Sequence, residues 1–254
     1  MLFRSIEQLI AESTGKDEKG ILPIVVSEPH SPLYPTITFT KNGALSVNGT
    51  LGGHFIFWEW VTALTSYLLN VDPFNQPNVT EAKEKTGALL HRWQISGIEP
   101  QVPAFESENV QVFAEESFHS LTDYFSSSFA LNPGYVALMA YLHRGVDDRI
   151  TLLREKIEKA SRTPVTFGWG PRFLHSTGQF HKGGPKVGSF IQITGATNIQ
   201  WPISGTSYGF ENLVMAQALG DNEALRARNY PTLRFHLKTR AAGIEELLRA
   251  ADSL

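Results

Sequence analysis

Two stretches of this 254-residue chain concentrate side chains that can move protons or hold anions. The first is Val71-Asp-Pro-Phe-Asn-Gln-Pro-Asn-Val-Thr-Glu-Ala-Lys83. Pro73 and Pro77 stiffen an extended turn, and Asn78 followed by Glu81 has the spacing of an N-cap and its capping box, so a helix is predicted to begin near Asn78. Lys83 then sits in its first turns, and the stretch reads as a site. A surface lysine paired with Glu84 satisfies the same pattern, and Lys85 shares the helix. The second stretch runs from Arg172 to Gly184 and crowds together His175, Ser176, Thr177, Gln179, His181, Lys182 and a Gly-Gly pair. Glycine amides with Arg172 and Lys182 nearby suit a nest for a phosphate or hydroxyl group, with a histidine as acid. A tight structural loop whose histidines cap helices is the competing reading. No carboxylate falls inside the block to complete a metal site around His175 and His181.

The elements that must position these residues follow from periodicity. Ile6 to Ser13 reads as the end of a helix stopped by Gly15. Ile21 to Val26 and Thr36 to Lys41 read as strands, and Asn42-Gly43 as a turn into Ala44 to Val47. His54 to Leu69 is apolar nearly all round and is predicted to be a buried helix. Thr80 to Trp93 reads as the amphipathic helix bearing Lys83. Gln94 to Ser107, with Pro100 and Pro103, reads as a linker, giving one domain over 1–94 and a second over 108–254. Beyond it strands and helices alternate: Val110 to Ala114, Glu116 to Ala130, Tyr135 to Leu142, Asp147 to Ser161, Pro164 to Phe167, Gly188 to Thr194, Glu211 to Leu219, Thr232 to Leu237 and Ile244 to Ala251. That alternation indicates crossover units, an α/β fold and a mostly parallel sheet.

The segment Leu64-Thr-Ser-Tyr-Leu-Leu-Asn-Val-Asp-Pro-Phe-Asn-Gln-Pro77 closely resembles the C-terminal signature of glucose-6-phosphate isomerases, in which a Phe-Asp/Asn-Gln turn enters a helix carrying the catalytic lysine. Glu7-Gln-Leu-Ile-Ala-Glu-Ser-Thr-Gly-Lys16 is similar to the same family's Glu-Ser-x-Gly-Lys run, whose glutamate shuttles a proton between C1 and C2 of the sugar. The two motifs stand in the family's order. Thr166 to Pro185 resembles the tail of the bacterial fusions of transaldolase with this isomerase, so the likeness runs over nearly the whole chain. The resemblance implies a three-layer sugar isomerase fold with a C-terminal α/β extension. It also implies interconversion of glucose 6-phosphate and fructose 6-phosphate through an enediol, without cofactor, in a homo-oligomer. Glu12 would be the base and Lys83 the donor at the ring oxygen. Lys16, Gln76, Arg172 and Lys182 would bind substrate, and His175 or His181 would supply the acid that family members carry between glutamate and lysine. His30, in a loop, is a further candidate, whereas His54, at a helix start, reads as a packing or capping residue. The sequence departs from the family at Asn78, where glycine is usual, and at Thr80, where glutamate is usual. A sugar-phosphate-binding α/β module without chemistry is the alternative.

Composition narrows the class. With 42% hydrophobic and 19% charged residues the chain has the makings of a substantial core, and a net charge of −3 without a basic run argues against nucleic acid and membrane surfaces as partners. The absence of cysteine excludes a disulfide framework, a thiolate zinc site and a cysteine nucleophile, and suits the cytoplasm. Glu12 lies a dozen residues from Met1, whereas the family places a phosphate-binding domain before it. Leu2-Phe3-Arg4-Ser5 is also what the end of a common sequencing adapter encodes. The expectation is therefore a C-terminal piece of a longer enzyme, inactive by itself in a steady-state assay.

Overall fold

The computed structural model describes residues 2–26, 32–39, 45–96, 101–197 and 199–254, with residues 79–82 described in backbone only. In chain order the elements are α1 (Leu2–Thr14), β1 (Ile37–Thr38), β2 (Leu45–Ser46), α2 (Leu51–Leu69), α3 (Pro77–Ser96), β3 (Phe105–Glu106) and β4 (Val110–Phe113). There follow α4 (Leu121–Ser127), β5 (Tyr135–Tyr141), α5 (Leu153–Ser161), β6 (Val165–Trp169), α6 (Thr177–Gly183), β7 (Gly188–Gly195), α7 (Phe210–Arg226), β8 (Thr232–Leu237) and α8 (Arg240–Asp252). They sort into two compact units, one of residues 1–77 and 175–186, the other of 78–174 and 187–254.

The larger unit is built on a six-stranded sheet in the order β3-β4-β8-β7-β5-β6. The pairs β5·β6, β5·β7 and β7·β8 are parallel, and β4 runs antiparallel to both β8 and β3. All residues of β5 are buried, so this strand has both faces covered, as its unbroken apolar run requires. On one face Val136, Leu138 and Ala140 join Ile191, Ile193 and Phe235 against Tyr124 and Phe125 of α4, Ile157 of α5 and Leu247 of α8. On a helix of 3.6 residues per turn, Leu153 and Ile157 fall on one side, which is why α5 lies along the sheet. A second cluster joins Leu89 and Leu90 of α3 to Ala216 of α7. There α3 approaches so closely that a Cβ on Gly220 would lie 2.9 Å from the Thr86 hydroxyl oxygen and 3.0 Å from its amide nitrogen. The larger unit is thus an α/β domain with a mostly parallel sheet.

The smaller unit joins α1, the β1·β2 pair, α2 and the inserted helix α6. Gly15 ends α1, and a Cβ there would stand 2.4 Å from the Phe180 Cα and 2.7 Å from the Ala11 carbonyl oxygen. Only glycine lets α6 lie this near the end of α1. Gln179 of α6 is fully buried and donates to the Gly15 carbonyl at 2.8 Å.

The structure corrects several expectations. Residues 21–26 form no strand, and β1 and β2 pair in parallel, unlike the two arms of a tight hairpin. Asn42-Gly43 and the candidate His30 lie outside the described residues. The helix α3 starts at Pro77 and runs to Ser96 without a break near 94, because its apolar residues pack on α7. It therefore belongs mainly with the sheet domain, and the Gly/His-rich block belongs with the first unit. The apolar helix α2 is not buried all round: one stripe, His54, Trp58, Thr62 and Ser66, faces inward, and the opposite side is exposed. No described helix is long and apolar enough to cross a membrane.

Candidate active site

The end of α1 and the turn after α2 are brought together by the two lysines of the Gly15-Lys16-Asp17-Glu18-Lys19 segment. Asn70 takes a left-handed conformation, φ 54°, to close α2. Asp72 then shapes the turn, its carboxylate accepting from the Phe74 amide at 2.9 Å and from the Asn75 side chain at 2.9 Å. Lys16 is buried and donates through Nζ to the Asp72 carbonyl at 2.5 Å, while Lys19 donates to the Leu69 carbonyl at 2.9 Å. The Lys19 ammonium thereby sits at the negative end of α2, where cations are favoured, and that of Lys16 holds the turn beyond it. Burial lowers the Lys16 pKa, opposed by the negative charges of Asp72, Glu12 and Asp17. Lys16, expected from the resemblance to bind substrate, is thus engaged with backbone.

This clamp frames a cavity of about 320 Å³ within the smaller unit. Its polar lining includes Glu12, Gln76, Glu59, Gln8, Ser5, Ser13 and His54, and its apolar lining includes Leu9, Phe55 and Trp58. Glu12 is half-buried on α1 and accepts from Gln8 Nε2 at 3.3 Å. Phe39 holds the His54 ring at 4.5 Å between centroids. His54 Nδ1 and Trp58 Nε1 are buried and meet no hydrogen-bond partner among the described residues. A buried polar atom in that state costs about 1–3 kcal/mol.

The other sequence candidates are distributed differently. Lys83 is exposed on α3 and Arg172 is exposed, both in the sheet domain. His175 is exposed just ahead of α6. His181 and Lys182 are buried within α6, where burial, reinforced by the charge of Lys182, brings the His181 pKa down from 6.5 to about 3. At neutral pH this ring is neutral, the wrong state for an imidazolium donor. Gly184 ends α6 with its amide on the Phe180 carbonyl at 2.8 Å. The block that reads as an anion loop is thus a packed helix carrying much of the contact with α1.

The sequence reading sets His54 aside as a packing or capping residue and gives no role to Trp58 or Glu59. A signal existed: His54, Trp58, Thr62 and Ser66 recur every four residues, placing the polar members of an apolar helix on one stripe.

No family model and no curated protein matches the chain. Among solved structures, a hypothetical protein TT0462 from Thermus thermophilus is similar at 16% identity and a TM-score of 0.41, over 52% of this chain and 37% of that one. The match therefore spans little more than a third of that protein's length.

Proposed function

We propose that this chain carries the proton-transfer site of an aldose–ketose isomerase acting on glucose 6-phosphate and fructose 6-phosphate, with Glu12 as the base. The observation that supports this reading is that Glu12 and Gln76, taken from two separate sequence motifs, line one cavity of the size of a small polyol. A carboxylate held over the edge of an enediol can lift the proton from one carbon and return it to its neighbour, and no cofactor is needed. Gln8 and Gln76 bring side-chain amides to the same cavity, and Ser13 a hydroxyl. Among the described residues the lining has no lysine or arginine, so the cavity suits the neutral C1–C2 end of the sugar, with the phosphate directed outward. Lys16 acts by fixing the turn that carries Gln76.

Incubating the chain with fructose 6-phosphate in heavy water tests this, since deuterium entering at carbon reports proton abstraction far too slow for a steady-state assay. Exchange is expected and should fall about a hundredfold to ten-thousandfold in Glu12→Gln. Equal exchange in both proteins would refute Glu12 as the base.

A further inference from the structure

The outward face of α2 is the most unusual surface of the smaller unit. Opposite the buried stripe lie Ile56, Phe57, Trp60, Leu64 and Tyr67, with Trp60 66% and Tyr67 81% exposed. The small residues Gly53 and Ala63 complete this face, and no charged side chain interrupts it. Gly53, Phe57, Trp60, Leu64 and Tyr67 recur at alternating intervals of four and three, the spacing of a seam that packs against another helix. Together the five large side chains leave roughly 650 Å² open to solvent, more than the largest apolar patch of a typical monomer and near the ~800 Å² each partner contributes to a standard interface.

We infer that this face pairs with α2 of a second copy of the chain, antiparallel, about a two-fold axis at Trp60. The sequence of the face is self-complementary about that residue. Trp60 stands at the middle of a helix running from Leu51 to Leu69. In an antiparallel pair, residues equally far from the centre on either side come opposite one another. Tyr67 then seats over Gly53 of the second copy, and the Ile56-Phe57 pair meets Ala63-Leu64 of the second copy. The Tyr67 and Phe57 rings thus face small residues, each contact made twice by the two-fold axis, and the two Trp60 rings meet at the axis itself. A helix about 28 Å long supplies enough seam for both sets. The pairing leaves the cavity stripe, with His54 and Trp58, on the far side of the helix.

The chain lacks cysteine, which makes a direct test simple. Trp60→Cys places a thiol on the proposed axis, and mild oxidation should convert the full-length variant to a covalent dimer at micromolar concentration. Glu59→Cys, on the flank of the helix, should cross-link at least tenfold more slowly. Sedimentation of the unmodified chain should show a monomer–dimer equilibrium, and Trp60→Glu should shift it to monomer with an unchanged circular dichroism spectrum. A monomer at every concentration, or equal cross-linking of the two cysteine variants, would overturn the assignment; the face would then belong to a different occupant.

Discussion

Acid sensitivity of the smaller unit is set largely by one buried ring. His181 has a pKa near 3 in the folded chain and an ordinary value of 6.5, because burial disfavours the imidazolium and Lys182 repels it. Between those values the unfolded chain binds a proton that the folded chain refuses, so stability rises with pH across the window. The contribution is fully present above about pH 6.5 and is lost as the pH falls towards 3. Each factor of ten in proton affinity is worth about 1.4 kcal/mol, so moving from about pH 7.5 to about pH 5 should remove on the order of 2 kcal/mol through this residue alone. The assay is urea unfolding of the native chain and of His181→Gln at both pH values, with amide exchange in α1 and α6 reporting the smaller unit directly. The substitution has its own cost at each pH, but that cost cancels in the difference. The pH-dependent loss should shrink by about 2 kcal/mol in the variant. If both proteins lose the same stability on acidification, His181 does not carry its proton deficit in the folded state and the packing described for α6 is wrong.

Other expectations follow from the same structure. His236, brought down to about 4 by burial and by Arg234 and Arg240 while its Nδ1 meets the Thr194 hydroxyl at 2.9 Å, should make the sheet domain acid-sensitive in the same direction, and His236→Gln should flatten that domain's pH profile. Gly15→Ala should cost about 3 kcal/mol, because the new methyl group meets backbone of Phe180 and Ala11; a change below about 0.5 kcal/mol by urea unfolding would contradict the close approach of α6. Lys16→Met should lower proton exchange on fructose 6-phosphate while leaving its affinity nearly unchanged, since the ammonium engages the Asp72 carbonyl; a selective loss of affinity would show direct contact with substrate instead. Lys83→Ala should disturb stability by less than about 0.5 kcal/mol, given its exposure, and should slow reaction of the cyclic sugar more than that of an open-chain analogue if the role implied by the resemblance holds.

The sheet domain is legible in the sequence because its strands are buried on both faces and its helices on one. Tyr135 to Leu142 reads as a strand from composition alone, and Thr232 to Leu237 is recovered with its observed limits. Helix α6 is missed because Gly178, Gly183 and Gly184, with Pro185, look like loop punctuation, whereas burial of Thr177 to Lys182 against α1 outweighs low intrinsic propensity. The outward face of α2 is misread for a different reason. Apolarity tells that a surface is covered by something, not whether the cover belongs to the same chain. The cavity is half legible: Glu12 and Gln76 come from motifs, but His54 enters through the inward stripe of α2, which its nearly all-round apolar sequence hides.

The placement of Glu12 depends on contacts that are individually modest and jointly restrictive. A base must hold its carboxylate within a fraction of an ångström of the carbon it serves, and a helix end frays unless its last turn is tied down. Here the last turn of α1 is closed by the Thr14 hydroxyl on the Ile10 carbonyl at 2.7 Å, and the Ile21 amide returns to that hydroxyl at 3.0 Å. Gln179 takes the Gly15 carbonyl from one side, and Lys16 reaches the Asp72 carbonyl on another. The residue that carries the proton-transfer proposal therefore stands one turn from a junction of three chain segments: the end of α1, the turn after α2, and α6. The Gly/His-rich block contributes to that junction through Gln179 and through the backbone of Phe180. This accounts for a dense cluster of polar and glycine residues in a helix whose histidine is held neutral. Substitutions in α6 should accordingly alter proton exchange only as far as they loosen α1, so that Gln179→Ala slows exchange and raises amide exchange at Thr14 and Gly15 together. Slowed exchange with α1 unchanged would mean that Gln179 acts on the substrate itself.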